Sequence, residues 1–180
     1  MTTFKVPEHH PPSHHLSRQP SAFDEPVYIG LGTNMGERQA NLEAAVAFLN
    51  DCDRIRVDAI STFRNSAPWG MTDQPAFLNG AVKISTVLSP DALLAFLKDG
   101  ERHLGRTPGE RWGPRIIDMD ILLFGRRMLS SAHLVIPHMQ LFHRAFVLEP
   151  LLELDPTLCH PQTDIPLQSY LIELTRTHPT

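Results

Sequence analysis

The order of the elements that the sequence predicts indicates an α+β fold. Between residues 26 and 124, stretches with strand-like alternation and stretches with helical spacing follow one another as strand, helix, strand, strand, helix, strand. A hairpin and further helices follow toward the C-terminus. This order predicts a ferredoxin-like βαββαβ sandwich with an antiparallel sheet, extended by the C-terminal hairpin and helices.

Length and composition favour a single cytoplasmic domain. The chain has 180 residues, enough for one core, and its formal net charge of −4 gives no electrostatic case for binding nucleic acid or an anionic membrane. Cys52 and Cys159 are too few and too far apart for a disulfide framework or a zinc site, which favours a reducing compartment. No apolar run reaches the ~18 residues that span a bilayer, and the N-terminus lacks the apolar core of a signal peptide.

The N-terminal leader differs in composition from the rest of the chain. Residues 1–25 are rich in proline, histidine and serine and poor in apolar residues, which predicts a disordered leader. Its histidines could bind a metal ion, but a solvated tail is the expected role; they are His9, His10, His14 and His15. Residues 26–180 are predicted to form one domain.

The domain begins with a strand and a helix. Residues 26–32 form a short apolar strand that ends in glycine, and residues 32–36 form a turn. The turn lacks the Gly-Lys-Ser/Thr ending of a P-loop, which excludes that kind of phosphate site. Residues 41–50 predict an amphipathic helix, whose apolar stripe is Leu42, Ala45, Val46 and Leu49.

Two further strands, at residues 54–64 and 77–87, enclose a long loop. Residues 65–75 are dense in glycine and proline and contain Trp69. A loop of this length in a compact domain is usually functional, and the alternative is a surface connection on which Trp69 packs down. On the third strand Phe77 and Asn79 share one face, which sets an aromatic ring beside an amide that both donates and accepts hydrogen bonds.

A second helix leads to the last strand of the predicted sheet. Ser89 is its N-cap, Pro90 lies in its first turn and Gly105 ends it. Residues 106–110 form a loop before the strand. After the strand, the sequence predicts a turn at 125–128, an edge segment at 135–138, a helix at 139–154 and a short apolar helix before the C-terminus.

The last strand of the sheet carries two carboxylates. Apolar residues occupy each odd position from 117 to 123, which predicts one buried face. Asp118 and Asp120 share the other face with backbones ~7 Å apart, so their oxygens can converge on a cation, and hard oxygen ligands suit Mg²⁺. The alternative is a solvated strand edge or a turn cap, but charges within an apolar run are costly unless they are paired.

Cations and an indole precede this strand. Arg111 and Arg115 offer guanidinium groups for phosphate, and Trp112 offers a flat ring that can stack. Together with the carboxylates, these residue types indicate nucleotide chemistry.

Residues 111–122, Arg-Trp-Gly-Pro-Arg-x-x-Asp-x-Asp-Ile-Leu, resemble the signature of the 6-hydroxymethyl-7,8-dihydropterin pyrophosphokinase family. The resemblance covers residues of about 27 to 155, because residues 31–34 are similar to the family's opening Leu-Gly-Ser-Asn segment. A Pro-His…Arg-x-Phe pattern also matches, at Pro137, His138, Arg144, Phe146, Leu148, Pro150 and Leu151. Met119 stands where the family usually carries Leu, Ile or Val, a change that keeps volume and polarity.

The resemblance implies an enzyme of tetrahydrofolate biosynthesis. It implies transfer of diphosphate from ATP to the hydroxymethyl group of 6-hydroxymethyl-7,8-dihydropterin, with release of AMP. Asp118 and Asp120 are expected to hold two Mg²⁺ ions, and Arg106 and Arg115 to balance charge on the phosphates. The partners are therefore small molecules, and a monomer is expected. No side chain stands out as general base; a metal-lowered pKa of the acceptor hydroxyl is the hypothesis in its place.

The resemblance also implies the substrate-binding residues. Those for the pterin are Ser66, Ala67, Trp69, Phe77, Asn79, Trp112 and Phe146. Those for ATP are Glu101, Arg111, Ile121, His138 and Arg144. The loop that contains Trp69 is expected to close over both substrates and exclude water.

The chain departs from the family pattern at three positions that bear on ATP affinity. Pro108 replaces the second basic residue of an Arg-x-Arg pair, while Met139 and His133 replace a Tyr and an Arg of some members. Two alternatives follow. A regulatory paralogue would bind nucleotide without turnover. An RNA-binding module would need a basic sheet face, and two adjacent strand carboxylates would repel RNA phosphates.

Overall fold

The structure, a computed structural model, describes residues 25–68, 70–107, 109 and 113–177. The predicted leader and four residues singled out above lie outside this part of the chain; they are Trp69, Pro108, Arg111 and Trp112.

One antiparallel sheet organises the fold. Its strands are β1 (Pro26–Thr33), β2 (Ile55–Ile60), β3 (Arg64–Ser66), β4 (Phe77–Thr86) and β5 (Asp118–Phe124). The order across the sheet is β2-β4-β1-β5, and β3 pairs with the first residues of β4. Every pairing is antiparallel, so the predicted α+β class with an antiparallel sheet is confirmed.

Four α-helices of the described residues cover the two faces of the sheet. They are α1 (Arg38–Asn50), α2 (Pro90–His103), α3 (Ala145–Leu154) and α4 (Leu167–Thr177). The first two helices bury their apolar stripes with Val27 and Ile29 of β1 in one core cluster. The last two pack with Tyr28 of the same strand in a second cluster. None of the helices in this part of the chain is long and apolar enough to cross a membrane.

The helix boundaries follow from local chemistry. Ser89 caps α2 by accepting a hydrogen bond from the Ala92 amide, as predicted, and Gly105 follows the helix with a φ of +93°. The predicted stripe of α1 is confirmed, since Leu42, Ala45 and Leu49 are fully buried. The predicted hairpin after β5 is present as β6 (Leu129–Ser130) and β7 (Val135–Ile136), but its turn lies at residues 131–134 and not at the predicted 125–128, which instead connect β5 to β6.

Two predicted elements were wrong in extent. The strand predicted at residues 54–64 ends at Ile60, because the Ser61 hydroxyl and amide both bond to Ala81 of β4, and the chain resumes as the separate strand β3. The helix predicted at residues 139–154 is a short 3-10 turn at residues 141–143 followed by α3. Arg144 between them has an extended backbone, which interrupts the helix.

The face assignment of β5 is correct only as far as Ile121. A β-bulge against β1 leaves Leu122 without a register partner, since Leu123 pairs with Tyr28 and Ile121 with Ile29. Leu123 therefore turns to the α3 side, although the alternation placed it on the opposite face. Residues 121–124 are apolar and buried on both faces of the sheet, so the sequence pattern could not reveal the bulge.

Candidate active site

A cavity of about 110 Å³ opens on the α3 side of the sheet, between β1, β4 and β5. Ten of the sequence-predicted site residues line it: Ser66, Ala67, Phe77, Asn79, Arg115, Asp118, Asp120, His138, Arg144 and Phe146. Gly30 and Gly32 of β1 form part of its floor. The long-range topology thus brings together side chains from β3, β4, β5, α3 and several connecting segments.

Asp118 is held by two arginines. Arg106 Nη1 donates to its Oδ1 at 2.5 Å, and Arg115 Nη1 donates to its Oδ2 at 2.7 Å. Burial opposes ionisation, but the Arg115 and Arg106 guanidiniums outweigh it and hold the pKa of Asp118 below its usual value. Asp118 is therefore a carboxylate whose orientation is fixed by charge-assisted hydrogen bonds.

Asp120 lies in a different environment on the same strand face. In the part of the chain that the structure describes, its one ion pair is with Lys98, whose Nζ lies 3.5 Å from Oδ1. Burial and then the charge of Asp118 raise the pKa of Asp120. Its side chain keeps 39% of its surface accessible, so its oxygens can still reach a ligand in the cavity.

The carboxylate pair fits a magnesium ion that arrives with a nucleotide. No group of three or more metal-binding side chains occurs among the described residues. Mg²⁺ in nucleotide sites is typically bound by one or two carboxylates, with water and substrate phosphates completing its coordination. The donor set of Asp118 and Asp120 is of this type.

Side chains of α2 complete the free edge of β5 between the two aspartates. The Met119 amide donates to Glu101 Oε1 at 2.8 Å, and Lys98 Nζ donates to the Met119 carbonyl at 3.3 Å and to Glu101 Oε1 at 2.7 Å. Arg106 Nη1 also lies 2.8 Å from Glu101 Oε2. Glu101 is only 3% exposed, and its contacts join α2, β5 and the segment that carries Arg106.

Lys98 was missed at the sequence level. Its i,i+3 spacing to Glu101 is a helix-surface signal, but only the fold shows that both side chains reach around an edge strand. Ile121, expected near ATP, has its side chain in the α1/α2 core cluster, 3% exposed. The assignments of Glu101 and Ile121 to ATP stay predictions.

His138 enters the cavity as a neutral imidazole. Burial lowers its pKa, and the opposing charge of Asp120 does not outweigh this effect. Its Nδ1 accepts a hydrogen bond from the Gln140 amide at 3.2 Å, while its own amide donates to the Leu122 carbonyl at 3.0 Å. With Nδ1 accepting, the proton resides on Nε2, which makes His138 a hydrogen-bond donor.

The opposite part of the cavity is aromatic and amide-lined. Asn79 Nδ2 donates to Ser66 Oγ at 2.8 Å, which joins β4 to β3. A Cβ at Gly32 would lie 2.9 Å from Asn79 Oδ1, so a larger residue at this point of β1 would displace the amide. Phe77 and Phe146 line the cavity from β4 and α3. This region can hold a flat ring and bond to its edge.

Asn34 forms hydrogen bonds to two segments next to the cavity, at residues 74–75 and at Arg115. It was not predicted as a site residue. Its Nδ2 donates to Gln74 Oε1 at 3.0 Å and to the Pro75 carbonyl at 3.1 Å. Its Oδ1 accepts from the Arg115 amide at 2.8 Å, and its amide donates to the Arg115 carbonyl at 3.1 Å. The only sequence signal was its place in the Leu-Gly-Thr-Asn segment.

Fold and site together define a class of protein. In this α+β domain, paired carboxylates, arginines and a region suited to a flat ring lie in one cavity. This combination is typical of an enzyme that acts on a nucleotide polyphosphate and a small heterocycle.

Comparisons with known proteins identify the family. The family model described as 7,8-dihydro-6-hydroxymethylpterin-pyrophosphokinase (HPPK) matches residues 28–156. The 2-amino-4-hydroxy-6-hydroxymethyldihydropteridine pyrophosphokinase of Bacillus subtilis is 44% identical, over 71% of this chain and 77% of the relative. The protein of the same name from Methylorubrum extorquens is 47% identical, over 73% of this chain and 84% of the relative. The chain belongs to the HPPK family, as the signature predicts.

Solved structures agree on the fold. An HPPK-DHPS crystal structure in complex with substrates superposes with a TM-score of 0.69 at 12% identity, covering 85% of this chain and 44% of that one. Plasmodium falciparum HPPK-DHPS with pteroate gives a TM-score of 0.65 at 13% identity, covering 84% and 44%. The chain spans less than half the length of these solved chains.

Proposed function

We propose that this chain transfers the β,γ-diphosphoryl group of ATP to the hydroxymethyl group of 6-hydroxymethyl-7,8-dihydropterin and releases AMP. The observation that carries the proposal is the pair Asp118 and Asp120, which faces a cavity with guanidinium groups and an aromatic region in a chain of the HPPK family. The product, a pterin diphosphate, places the enzyme in tetrahydrofolate biosynthesis.

Asp118 and Asp120 are the residues proposed to hold two Mg²⁺ ions. Bound Mg²⁺ would neutralise the triphosphate and draw charge from the β-phosphorus. Arg115 and Arg106 already hold Asp118 in place, so little reorganisation of that carboxylate is needed. As phosphate oxygens enter, the remaining donors of both guanidiniums can bond to them.

The acceptor is proposed to bind against Phe77 and Phe146, with Asn79 bonding to its edge. The Ser66 hydroxyl occupies one donor of the Asn79 amide and so fixes its orientation. The amide then presents its oxygen as acceptor and one N–H as donor, which complements a ring edge that carries both kinds of group. His138 Nε2–H and Arg144 are proposed to bind the nucleotide.

We also propose that the α+β domain has a ferredoxin-like arrangement of strands and helices. It is supported by the β2-β4-β1-β5 order with all strands antiparallel, and by the crossovers through α1 and α2 on one face. The second layer of α3 and α4 is then an addition that builds one wall of the cavity.

The test is an AMP-release assay with ATP, magnesium and a panel of pterin acceptors. The proposal predicts AMP formation that requires both Mg²⁺ and 6-hydroxymethyl-7,8-dihydropterin, with an equal amount of pterin diphosphate. Nucleotide binding without AMP release would instead identify a regulatory paralogue. Preferential binding of labelled RNA over Mg·ATP would favour an RNA-binding module.

A further inference from the structure

Lys98 of α2 reaches the carboxylate pair although its helix lies on the other face of the sheet. Its Nζ donates to Glu101 at 2.7 Å and to the Met119 carbonyl at 3.3 Å, and it lies 3.5 Å from Asp120 Oδ1. The side chain keeps 35% of its surface accessible. It is therefore anchored by Glu101 and the Met119 carbonyl while it still lies beside Asp120, which lines the cavity.

We propose that Lys98 is a nucleotide-binding residue that also controls when a divalent cation can bind. While no nucleotide is bound, its ammonium group competes with a bare divalent cation for Asp120. When a metal–polyphosphate complex enters, the metal takes the carboxylate and Lys98 pairs with a phosphate oxygen. This inference rests on the proposed use of ATP.

The charge balance of the site supports the competition. Three carboxylates, those of Asp118, Asp120 and Glu101, are already matched by three cations. The cations are Lys98, Arg106 and Arg115. A bare divalent cation therefore meets carboxylates that are already paired, in a cavity that also contains Arg144, and must displace a positive charge. A triphosphate that arrives with one magnesium ion keeps net negative charge, so the same cations attract it.

The geometry singles out Lys98 as the cation that exchanges partners. The guanidinium nitrogens of Arg106 and Arg115 lie 2.5 and 2.7 Å from the Asp118 carboxylate oxygens. The distance from Lys98 Nζ to Asp120 Oδ1 is longer, at 3.5 Å. An ammonium group has three donors on a flexible stem, and two of them are used by Glu101 and the Met119 carbonyl. The third can move from Asp120 to a phosphate without breaking the edge contacts of β5.

The competing explanation is purely structural, because Lys98 also neutralises the buried Glu101. A structural role would weaken every ligand of the pocket in the same direction when Lys98 is changed. The proposed role instead predicts opposite changes for the bare metal and for the nucleotide complex, since Lys98 repels the first and attracts the second.

The experiment compares Lys98→Met, which keeps stem length without charge, with Lys98→Arg, which keeps the charge. Arg102→Met is the matched control, because Arg102 is an exposed cation of the same helix that pairs with Asp99. Mn²⁺ binding without nucleotide is measured by electron paramagnetic resonance. Binding of Mg²⁺ with a non-hydrolysable ATP analogue is measured by calorimetry. Thermal unfolding checks each variant, and Lys98→Gln replaces the Met variant if the latter does not fold.

For Lys98→Met we expect bare Mn²⁺ to bind at least ~3-fold more tightly, because a cation beside Asp120 is gone. We expect the nucleotide complex to bind about tenfold more weakly, the loss that corresponds to ~1.4 kcal/mol. Lys98→Arg restores nucleotide affinity, and Arg102→Met changes neither value.

If Lys98→Met binds both Mn²⁺ and the nucleotide complex more weakly, the inference is overturned in favour of a structural role. If both affinities are unchanged, the inference is overturned outright. If the unaltered protein binds Mg²⁺ with a pterin acceptor but no nucleotide, the proposed function itself fails. If the unaltered protein binds the nucleotide complex and the Lys98 variants bind metal and nucleotide with the same affinities as it does, the proposed role of Lys98 fails and the proposed function does not.

Discussion

Glu101→Gln tests how far one buried carboxylate supports the site. The side chain is 3% exposed and pairs with Lys98 at 2.7 Å and Arg106 at 2.8 Å, while it accepts the Met119 amide at 2.8 Å. Glutamine keeps the shape and one acceptor oxygen, so the bond to Met119 can persist. It removes the negative charge and points an N–H toward one of the two cations.

The expected loss can be worked out from these contacts. Removing one partner of a buried ion pair costs ~3–5 kcal/mol. Lys98 and Arg106 retain 35% and 27% of their surface and still face Asp120 and Asp118, so water and those carboxylates recover part of the loss. We therefore expect Glu101→Gln to lower the free energy of unfolding by ~2–3 kcal/mol.

Urea denaturation at neutral pH measures this change. With an m-value of ~2 kcal/mol/M, the midpoint should fall by ~1–1.5 M at unchanged slope. Glu149→Gln is the control, because Glu149 is an exposed carboxylate on α3, and its midpoint should not move. A Glu101→Gln midpoint within ~0.2 M of the unaltered protein would refute the view that this carboxylate holds α2 and β5 together.

Three further predictions concern the Asp120 carboxylate, the hydrogen bonds of Asn34 and the pKa of Glu153. Asp120→Ala should reduce AMP release by more than ~10³-fold with an unchanged circular dichroism spectrum, because it removes a proposed metal ligand, and a bound metal contributes several kcal/mol in the transition state; near-normal turnover would refute its role. Asn34→Ala removes three side-chain hydrogen bonds, so KM for the acceptor should rise by ~10-fold or more, and an unchanged KM in steady-state kinetics would contradict this. The Thr62 amide, the Thr62 hydroxyl and Arg64 lower the pKa of Glu153 from 4.5 to about 2, so its stabilisation is complete above pH 4.5 and is lost as pH falls toward 2. Because Glu153 is one-third exposed, the discounted effect is ~1 kcal/mol, and acid-unfolding curves of Glu153→Gln should lack it; identical curves would count against the assignment.

The sequence predicted the strand and its carboxylates because their signals are local. The period of two around Asp118 and Asp120 places both on one face whatever the rest of the fold does. Ser89 and Gly105 bound α2 for the same reason, since capping depends on neighbouring residues alone.

The features that the sequence did not predict depend on contacts distant along the chain. The bulge at Leu122 arises from register with β1, and the break after Ile60 arises from hydrogen bonds to Ala81. Lys98 joins the site only because α2 packs beside an edge strand. Asn34 is similar, because its partners lie about 40 and 81 residues away. No local pattern encodes such pairings.

Anomalous diffraction from crystals with Mn²⁺, a non-hydrolysable ATP analogue and a pterin acceptor tests the central claim most directly. The account predicts manganese peaks bounded by the Asp118 and Asp120 carboxylates and by phosphate oxygens, with the pterin ring between Phe77, Phe146 and Asn79. Nucleotide bound while both carboxylates stay paired with Arg106, Arg115 and Lys98, and no metal between them, would contradict it.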